Sequence, residues 1–224
     1  AFGRVKTILS WSSGKDSAWS LHVLRAVPAI EIVALLTTIN EQFDRVAMDG
    51  VRRNILEAQA AAAGLPLHIV PLPWPCSNEA YESLMGNYVR AQVADGVDAM
   101  AFGDLFLEDI RGYREQKLQG TGLQPIFPLW GKPTRTLADE MIGGGLVTYI
   151  ATVDPAKLGA NFAGRVFDRN FIEDLPPGID PCGENGEFHT CVAAGPMFDR
   201  ALPIKPGEVV ARDGFVFADL ILDD

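Results

Sequence analysis

Apolar positions in the first half of the chain fall into alternating short and long groups. Val5–Leu9, Ile30–Thr38, Leu67–Val70, Ala99–Phe102 and the brief Pro125–Phe127 are compact runs rich in β-branched residues. Runs of that length and density read as strands buried on both faces. Between them lie helical patterns: Ser17–Val27, which ends before Pro28; the Ala-rich Val51–Ala63, stopped by Gly64; the amphipathic Asn78–Asp95; and Asp109–Leu118. Residues 39–49 read as a polar loop. Strand and helix in turn predict a parallel sheet with helices on both faces. Ligands of such sheets sit beyond the carboxyl ends of the strands, where the strand order reverses. The loops at Ser12–Ser17, Asn40–Arg45 and Gly103-Asp104 are therefore expected along one edge.

Past residue 128 the pattern changes. Leu137–Ile142 is helical and ends at Gly143-Gly144-Gly145, Leu146–Val153 reads as a strand, and Val209–Arg212 and Phe215–Leu222 are short strand-like segments between Pro and Gly turns. The expected division is residues 1–128 as an α/β portion and residues 129–224 as a smaller α+β portion packed across the mouth of the sheet.

Composition narrows the class. With 224 residues the chain can bury a full core. A formal net charge of −10 argues against a nucleic-acid partner, because phosphate-tracking surfaces need an excess of Lys and Arg. The same charge repels free polyphosphates, so a polyphosphate site must bring its own positive charge or Mg²⁺. No apolar run reaches membrane-spanning length and no secretory leader is visible, so no membrane partner and a cytoplasmic location are expected. Cys76, Cys182 and Cys191 lack the spacing of a disulfide framework or a zinc ribbon.

Two segments carry the chemistry. The first is Ser10-Trp11-Ser12-Ser13-Gly14-Lys15-Asp16-Ser17, a small-residue turn between the first strand and the first helix. Backbone amides at a helix N-terminus point outward and its dipole favours an anion there. Lys15 adds charge, and Ser12, Ser13 and Ser17 add hydroxyls. The spacing is not that of a Walker A loop. It resembles the PP-loop, Ser-Gly-Gly-x-Asp-Ser, of the ATP pyrophosphatase superfamily, with Ser13 where the second glycine is usual. The second segment is Pro181-Cys182-Gly183-Glu184-Asn185-Gly186-Glu187-Phe188-His189-Thr190. If it is extended from Glu187, then Glu187, His189 and Cys191 share one face. A carboxylate beside His189 would raise the imidazole pKa and orient the ring for proton transfer.

With both segments in view, the sequence resembles the diphthine–ammonia ligase family of PP-loop ATPases. That family pairs the N-terminal loop with a later Glu-Gly-Gly-Glu-Phe-His/Glu-Thr. Here Glu184-Asn185-Gly186-Glu187-Phe188-His189-Thr190 matches it, with Asn185 for one Gly. Gly103-Asp104, Tyr113-Arg114 and Pro128-Leu129-Trp130 also fall where the family has such residues. The resemblance implies a Rossmann-like sheet of the HUP type. It also implies an AMP-forming ligase that uses ATP and Mg²⁺ to adenylate a carboxylate and aminate it with ammonia. By the same resemblance Ser12, Ser13, Gly14 and Ser17 cradle the pyrophosphate portion and Lys15 offsets its charge. Asp16 either fixes the loop or ligates Mg²⁺, and Gly103 and Asp104 lie near the ribose or α-phosphate. Glu184, Glu187, His189 and Thr190 line the acceptor side, where they hold a cationic substrate, position ammonium or remove its proton. Arg114 is the candidate for the substrate carboxylate. The ammonia comes from solution or a partner, and self-association is left open. Two rival readings fit the same residues: this chemistry on a small-molecule carboxylate, and a nucleotide sensor without chemistry. Charge and cysteine arrangement disfavour a third, tRNA thiolation.

Overall fold

The computed structural model describes residues 3–46 and 50–223. Its first sheet is built from β1 (Val5–Ser10), β2 (Ile30–Asn40), β3 (Arg45–Val46), β4 (Leu67–Leu72), β5 (Ala99–Ala101) and β6 (Gln124–Ile126). The helices between them are α1 (Lys15–Arg25), α2 (Arg53–Ala63), α3 (Asn78–Ala94) and α4 (Glu108–Leu118). β4, β2, β1, β5 and β6 pair in parallel in that order. The chain thus steps outward from β1 through β2 to β4, then returns to the other side of β1 for β5. The order reverses between β1 and β5, where the sequence placed Ser12–Ser17 and Gly103-Asp104.

Alternation along the strands builds two cores. Leu9, Leu35 and Ala101 belong to the cluster that includes Leu21 of α1 and Ile55 of α2. Ile8, Ala34, Leu36 and Met100 belong to the cluster that includes Val89 of α3 and Leu118 of α4. Helices therefore cover both faces, as the continuous apolar strands require.

The expected polar loop at 39–49 is shorter than its composition suggests. Ile39 and Asn40 remain in β2, bonded to β4 on one edge and to β3 on the other. The last part of that loop, 47–49, lies outside the described residues.

The second sheet is antiparallel throughout, in the order β8 (Phe188–Ala194), β7 (Val147–Val153), β10 (Phe215–Leu222) and β9 (Ile204–Arg212). α5 (Thr134–Gly143) precedes it, and α6 (Arg169–Asp174) lies in the β7–β8 connection. α6 escaped the sequence reading because six residues show no helical period. It starts where the Asp168 carboxylate accepts the Phe171 N–H at 2.8 Å. Polar ties also join the sheets. Asp219 of β10 accepts two hydrogen bonds from Arg52, at 3.0 and 2.6 Å, and one from Arg45 at 3.3 Å. The Arg52 guanidinium holds the Asp219 carboxyl below its ordinary pKa.

Under β8 sits a cluster of rings. Phe171 meets Phe188 edge-on at 5.1 Å between centroids and Phe162 edge-on at 5.7 Å. Phe188 opens the strand that carries His189 and Thr190, so this packing sets where those side chains start. Phe171→Ala is expected to cost roughly 3–5 kcal/mol, read as a lower urea midpoint. A loss below about 1 kcal/mol would mean that the site tolerates collapse of the cluster.

Candidate active site

α1 begins at Lys15, two residues earlier than expected, with Gly14 as its N-cap. The loop before it is bound internally. Ser17 Oγ donates to the Gly14 carbonyl at 3.1 Å, and the Ser12 amide donates to Ser17 Oγ at 3.3 Å. Ser13 takes the left-handed conformation at φ 74° and is fully buried. Its carbonyl accepts the Val192 N–H at 2.9 Å and the Gln59 side-chain amide at 3.1 Å. The Lys15 amide donates to Thr190 Oγ1 at 2.9 Å. Gly14 has no room for a side chain, since a Cβ there would lie 3.0 Å from the Thr190 carbonyl oxygen. The two sequence segments therefore touch directly, although 175 residues separate Lys15 from Thr190.

Lys15 is 3% exposed. Its ammonium donates to both Asp16 oxygens, at 3.2 and 3.3 Å, and to the Cys182 carbonyl at 2.5 Å. The rings of Phe188 and Phe167 lie 5.5 and 5.7 Å away. Burial works against its charge, but Asp16, Cys182 and Glu184 together outweigh it, and its pKa is raised.

The segment from Asp180 to Gly186 folds around a residue the sequence reading missed. The Asp180 carboxylate accepts the Cys182 and Glu184 amides at 3.1 and 3.0 Å and the Thr134 hydroxyl at 2.7 Å. An Asp just ahead of Pro-Cys-Gly is the signal that could have found it, because Asp favours bonding backbone a few residues on. Gly183 is left-handed, and a Cβ there would meet the Phe188 carbonyl oxygen at 2.8 Å.

The expectation that Glu187 and His189 share one surface needs correction. Glu187 is 2% exposed, and its Oε2 accepts the Asp180 amide at 2.7 Å, behind the turn. His189 faces the cavity side. The expected rise in its pKa is also reversed. Burial, with help from the Lys15 charge, lowers it and favours the neutral ring. Glu184 moves the other way: burial, with Asp16 and Asp104 nearby, pushes its carboxyl up to about 8. The Cys182 thiol is pushed up to about 12, chiefly by burial, and donates to the Thr134 carbonyl, so it is no nucleophile at neutral pH.

Ser12, Gly14, Lys15, Asp16, Glu184, His189 and Thr190 line a polar cavity of about 130 Å³. A larger cleft of about 900 Å³ runs over the sheet between α3 and α4, past Thr37, Phe102 and Tyr113. Ser12 and His189 border both spaces. Gly103 lies against α1, where a Cβ would sit 3.0 Å from the Asp16 carbonyl carbon. Asp104 is nearly buried and holds Arg114, with Nε at 2.6 Å and Nη2 at 3.5 Å. Arg114, the candidate for the substrate carboxylate, is thus ion-paired with Asp104, and it stacks over Phe102 at 4.5 Å.

A model of the diphthamide synthase N-terminal domain matches residues 5–125, and one of the diphthamide synthase C-terminal domain matches residues 133–217. The chain belongs to the diphthamide synthase family. Among its relatives, the diphthine–ammonia ligase of Danio rerio is 25% identical over 92% of this chain and 89% of its own length. Those of Bos taurus and Homo sapiens are 23% and 22% identical, each over 92% of this chain and 85% of the relative. In this member of the diphthamide synthase family, no helix among the described residues is long and apolar enough to cross a membrane. Nor, among them, does any group of three His, Cys, Asp or Glu side chains form a metal cage.

The Glu184 environment gives a pH signature. Between its ordinary value of 4.5 and about 8, the unfolded chain has released this proton and the folded chain retains it. Stability therefore falls as pH rises through that window and is level above it. Glu184→Gln has no such proton, so its Tm is expected to gain on the parent between pH 4.5 and 8. A constant difference across that range would contradict the assignment.

Proposed function

We propose that this protein is an ATP-dependent, AMP-forming ligase that adenylates a carboxylate and converts it to an amide with ammonia, acting on diphthine as its relatives' names imply. One observation carries the reading. The turn after β1 and the Glu184–Thr190 segment form one wall, through Lys15 N–H and Thr190 Oγ1, and the polar cavity there meets the large cleft at Ser12 and His189.

The pyrophosphate portion would occupy the polar cavity, against Ser12, Gly14 and Lys15, with Ser13 and Ser17 shaping the turn from behind, and the nucleoside would take the cleft beyond Gly103 and Asp104. The α-phosphate would then lie at the junction. The acceptor's carboxylate oxygen attacks the α-phosphorus, the bond to the bridging β-phosphate oxygen breaks, and pyrophosphate leaves. Ammonia adds to the acyl carbon, and AMP departs. The protein contributes positioning and charge neutralisation. Lys15 offsets phosphate charge from a fixed position. Neutral His189 accepts a proton from the attacking nitrogen, while Glu184 and Thr190 hold ammonium at the wall. Glu187 works at one remove, by holding the Asp180 turn. Arg114 keeps Nη1 free of Asp104 and would offer it to the acceptor carboxylate. Mg²⁺ would travel with the triphosphate. Asp16, 29% exposed and facing the cavity, supplies one carboxylate, which suits an ion otherwise held by phosphate oxygens and water. Residues 1–128 would serve the nucleotide, with Arg114 reaching towards the acceptor, and 129–224 would complete the acceptor side, in the cytoplasm.

The deciding experiment uses a diphthine-bearing protein labelled with ¹⁸O in the reacting carboxylate, with ATP and ammonium. One label is expected in AMP, with pyrophosphate as co-product. Release of ADP and phosphate, with label in the phosphate, would overturn the reading. Lys15→Ala should weaken ATP binding by about tenfold or more, as loss of a charged contact predicts. His189→Asn should leave ATP affinity within about twofold and lower kcat by roughly 10²-fold or more, the usual scale of proton-transfer catalysis. Titration calorimetry and steady-state rates separate the two.

A further inference from the structure

Gln59 is a fully buried amide in the middle of α2, and nothing in its sequence context marks it. Its side chain nonetheless makes several hydrogen bonds beneath the site. Its carbonyl accepts the Trp11 indole N–H at 2.8 Å. Its NH₂ donates to the carbonyls of Ser13, at 3.1 Å, and Val192, at 2.8 Å. One side chain thus braces β1's exit, the loop and β8.

The consequence follows from peptide planarity. The Ser13 carbonyl and the Gly14 N–H belong to one trans peptide and point in opposite directions. Two donors, Val192 N–H and Gln59, anchor that carbonyl in the interior. The Gly14 N–H is thereby turned towards the polar cavity that Gly14 lines. Among the described residues its hydrogen bond is a long 3.4 Å contact to Ser12 Oγ, so it is available to an anion. The arrangement works against a backbone cost, because Ser13 stands at φ 74°, where a side chain is disfavoured.

We propose that Gln59 is a positioning residue for phosphate recognition: through the Ser13 carbonyl it holds the Ser13–Gly14 peptide with its N–H presented to a phosphate oxygen. The inference rests on the reading that the polar cavity takes the pyrophosphate portion of ATP. Methionine at 59 keeps the volume and removes the donors, whereas glutamate would set a carboxylate against two carbonyl oxygens.

The test measures inorganic pyrophosphate and adenosine binding separately, by calorimetry, on parent, Gln59→Met, and Gln59→Met combined with Ser13→Gly. Losing one aligned donor to a charged group should weaken pyrophosphate binding of Gln59→Met by about ten- to a hundredfold. Adenosine affinity should stay within about twofold, because that moiety does not meet this peptide. The double variant should recover part of the loss, because glycine holds positive φ without a side-chain penalty. Equal losses for both ligands, no loss, or no recovery on adding Ser13→Gly would each overturn the proposal. If Gln59→Met does not fold, Gln59→Asn, one methylene shorter, draws the donors back from the Ser13 carbonyl and should show a loss confined to pyrophosphate; an unchanged affinity would again overturn it. A parent protein that binds no pyrophosphate would instead overturn the reading of the cavity, and this inference with it.

Discussion

Two hydrogen bonds hold the molecule's chemistry together: Val192 N–H to the Ser13 carbonyl, and Lys15 N–H to Thr190 Oγ1. Each crosses from the antiparallel sheet to the turn at the end of β1. The turn alone would be a strand–helix junction with outward-facing amides. β8 alone would be one strand of a small sheet. Joined, they enclose a polar space lined by Ser12, Gly14, Lys15 and Asp16 of the turn and by Glu184, His189 and Thr190. Close approach is what the small residues allow, because a Cβ at Gly14 would press on the Thr190 backbone. Such a junction tolerates little error, since Ser13, Lys15, Thr190 and Val192 are all buried and a mismatched partner would lose solvation without compensation.

The parallel sheet was legible because its strands are buried on both faces and read as continuous apolar runs. Its strand ends were less so: the polar Asn40 remains in β2 because pairing with β3 and β4 overrides its composition. The tight turn between β1 and α1 was legible from residue sizes and position. In the second segment, the sequence showed which residue types gather but not how they face. Alternation predicted Glu187 beside His189, yet Glu187 belongs to the turn ahead of the strand, where the Asp180 amide claims its carboxylate. Asp180 and Gln59 were overlooked for a common reason. Their importance lies in bonds to backbone groups distant in sequence or inside a turn, and a single chain's residue pattern does not display those partners.

Charge in this acidic chain is arranged by burial more than by count. The ammonium of Lys15 is kept charged by Asp16 within a niche of rings and a carbonyl. Burial also dominates at neighbouring groups, and the Lys15 charge opposes it only in part at Glu184. Burial lifts Glu184 towards neutrality and holds His189 in its uncharged form. A wall of that kind carries less negative charge than its composition suggests. It therefore repels a polyphosphate less than the chain's net charge of −10 would suggest.

The two departures from the family's glycine pattern are physically unlike. Asn185 replaces a glycine at a position that does not need one. The left-handed residues of that turn are Gly183 and Gly186, and the Asn185 carbonyl accepts the Lys157 ammonium at 2.7 Å. Ser13 replaces a glycine where φ is 74°, so its conformation costs free energy and must be held from outside. What holds it is the same pair of donors, from β8 and from Gln59, that joins the two halves of the site. A chain with serine here depends on that bracing more than one with glycine would. The link between the sheets and the shape of the turn after β1 are therefore one structural requirement.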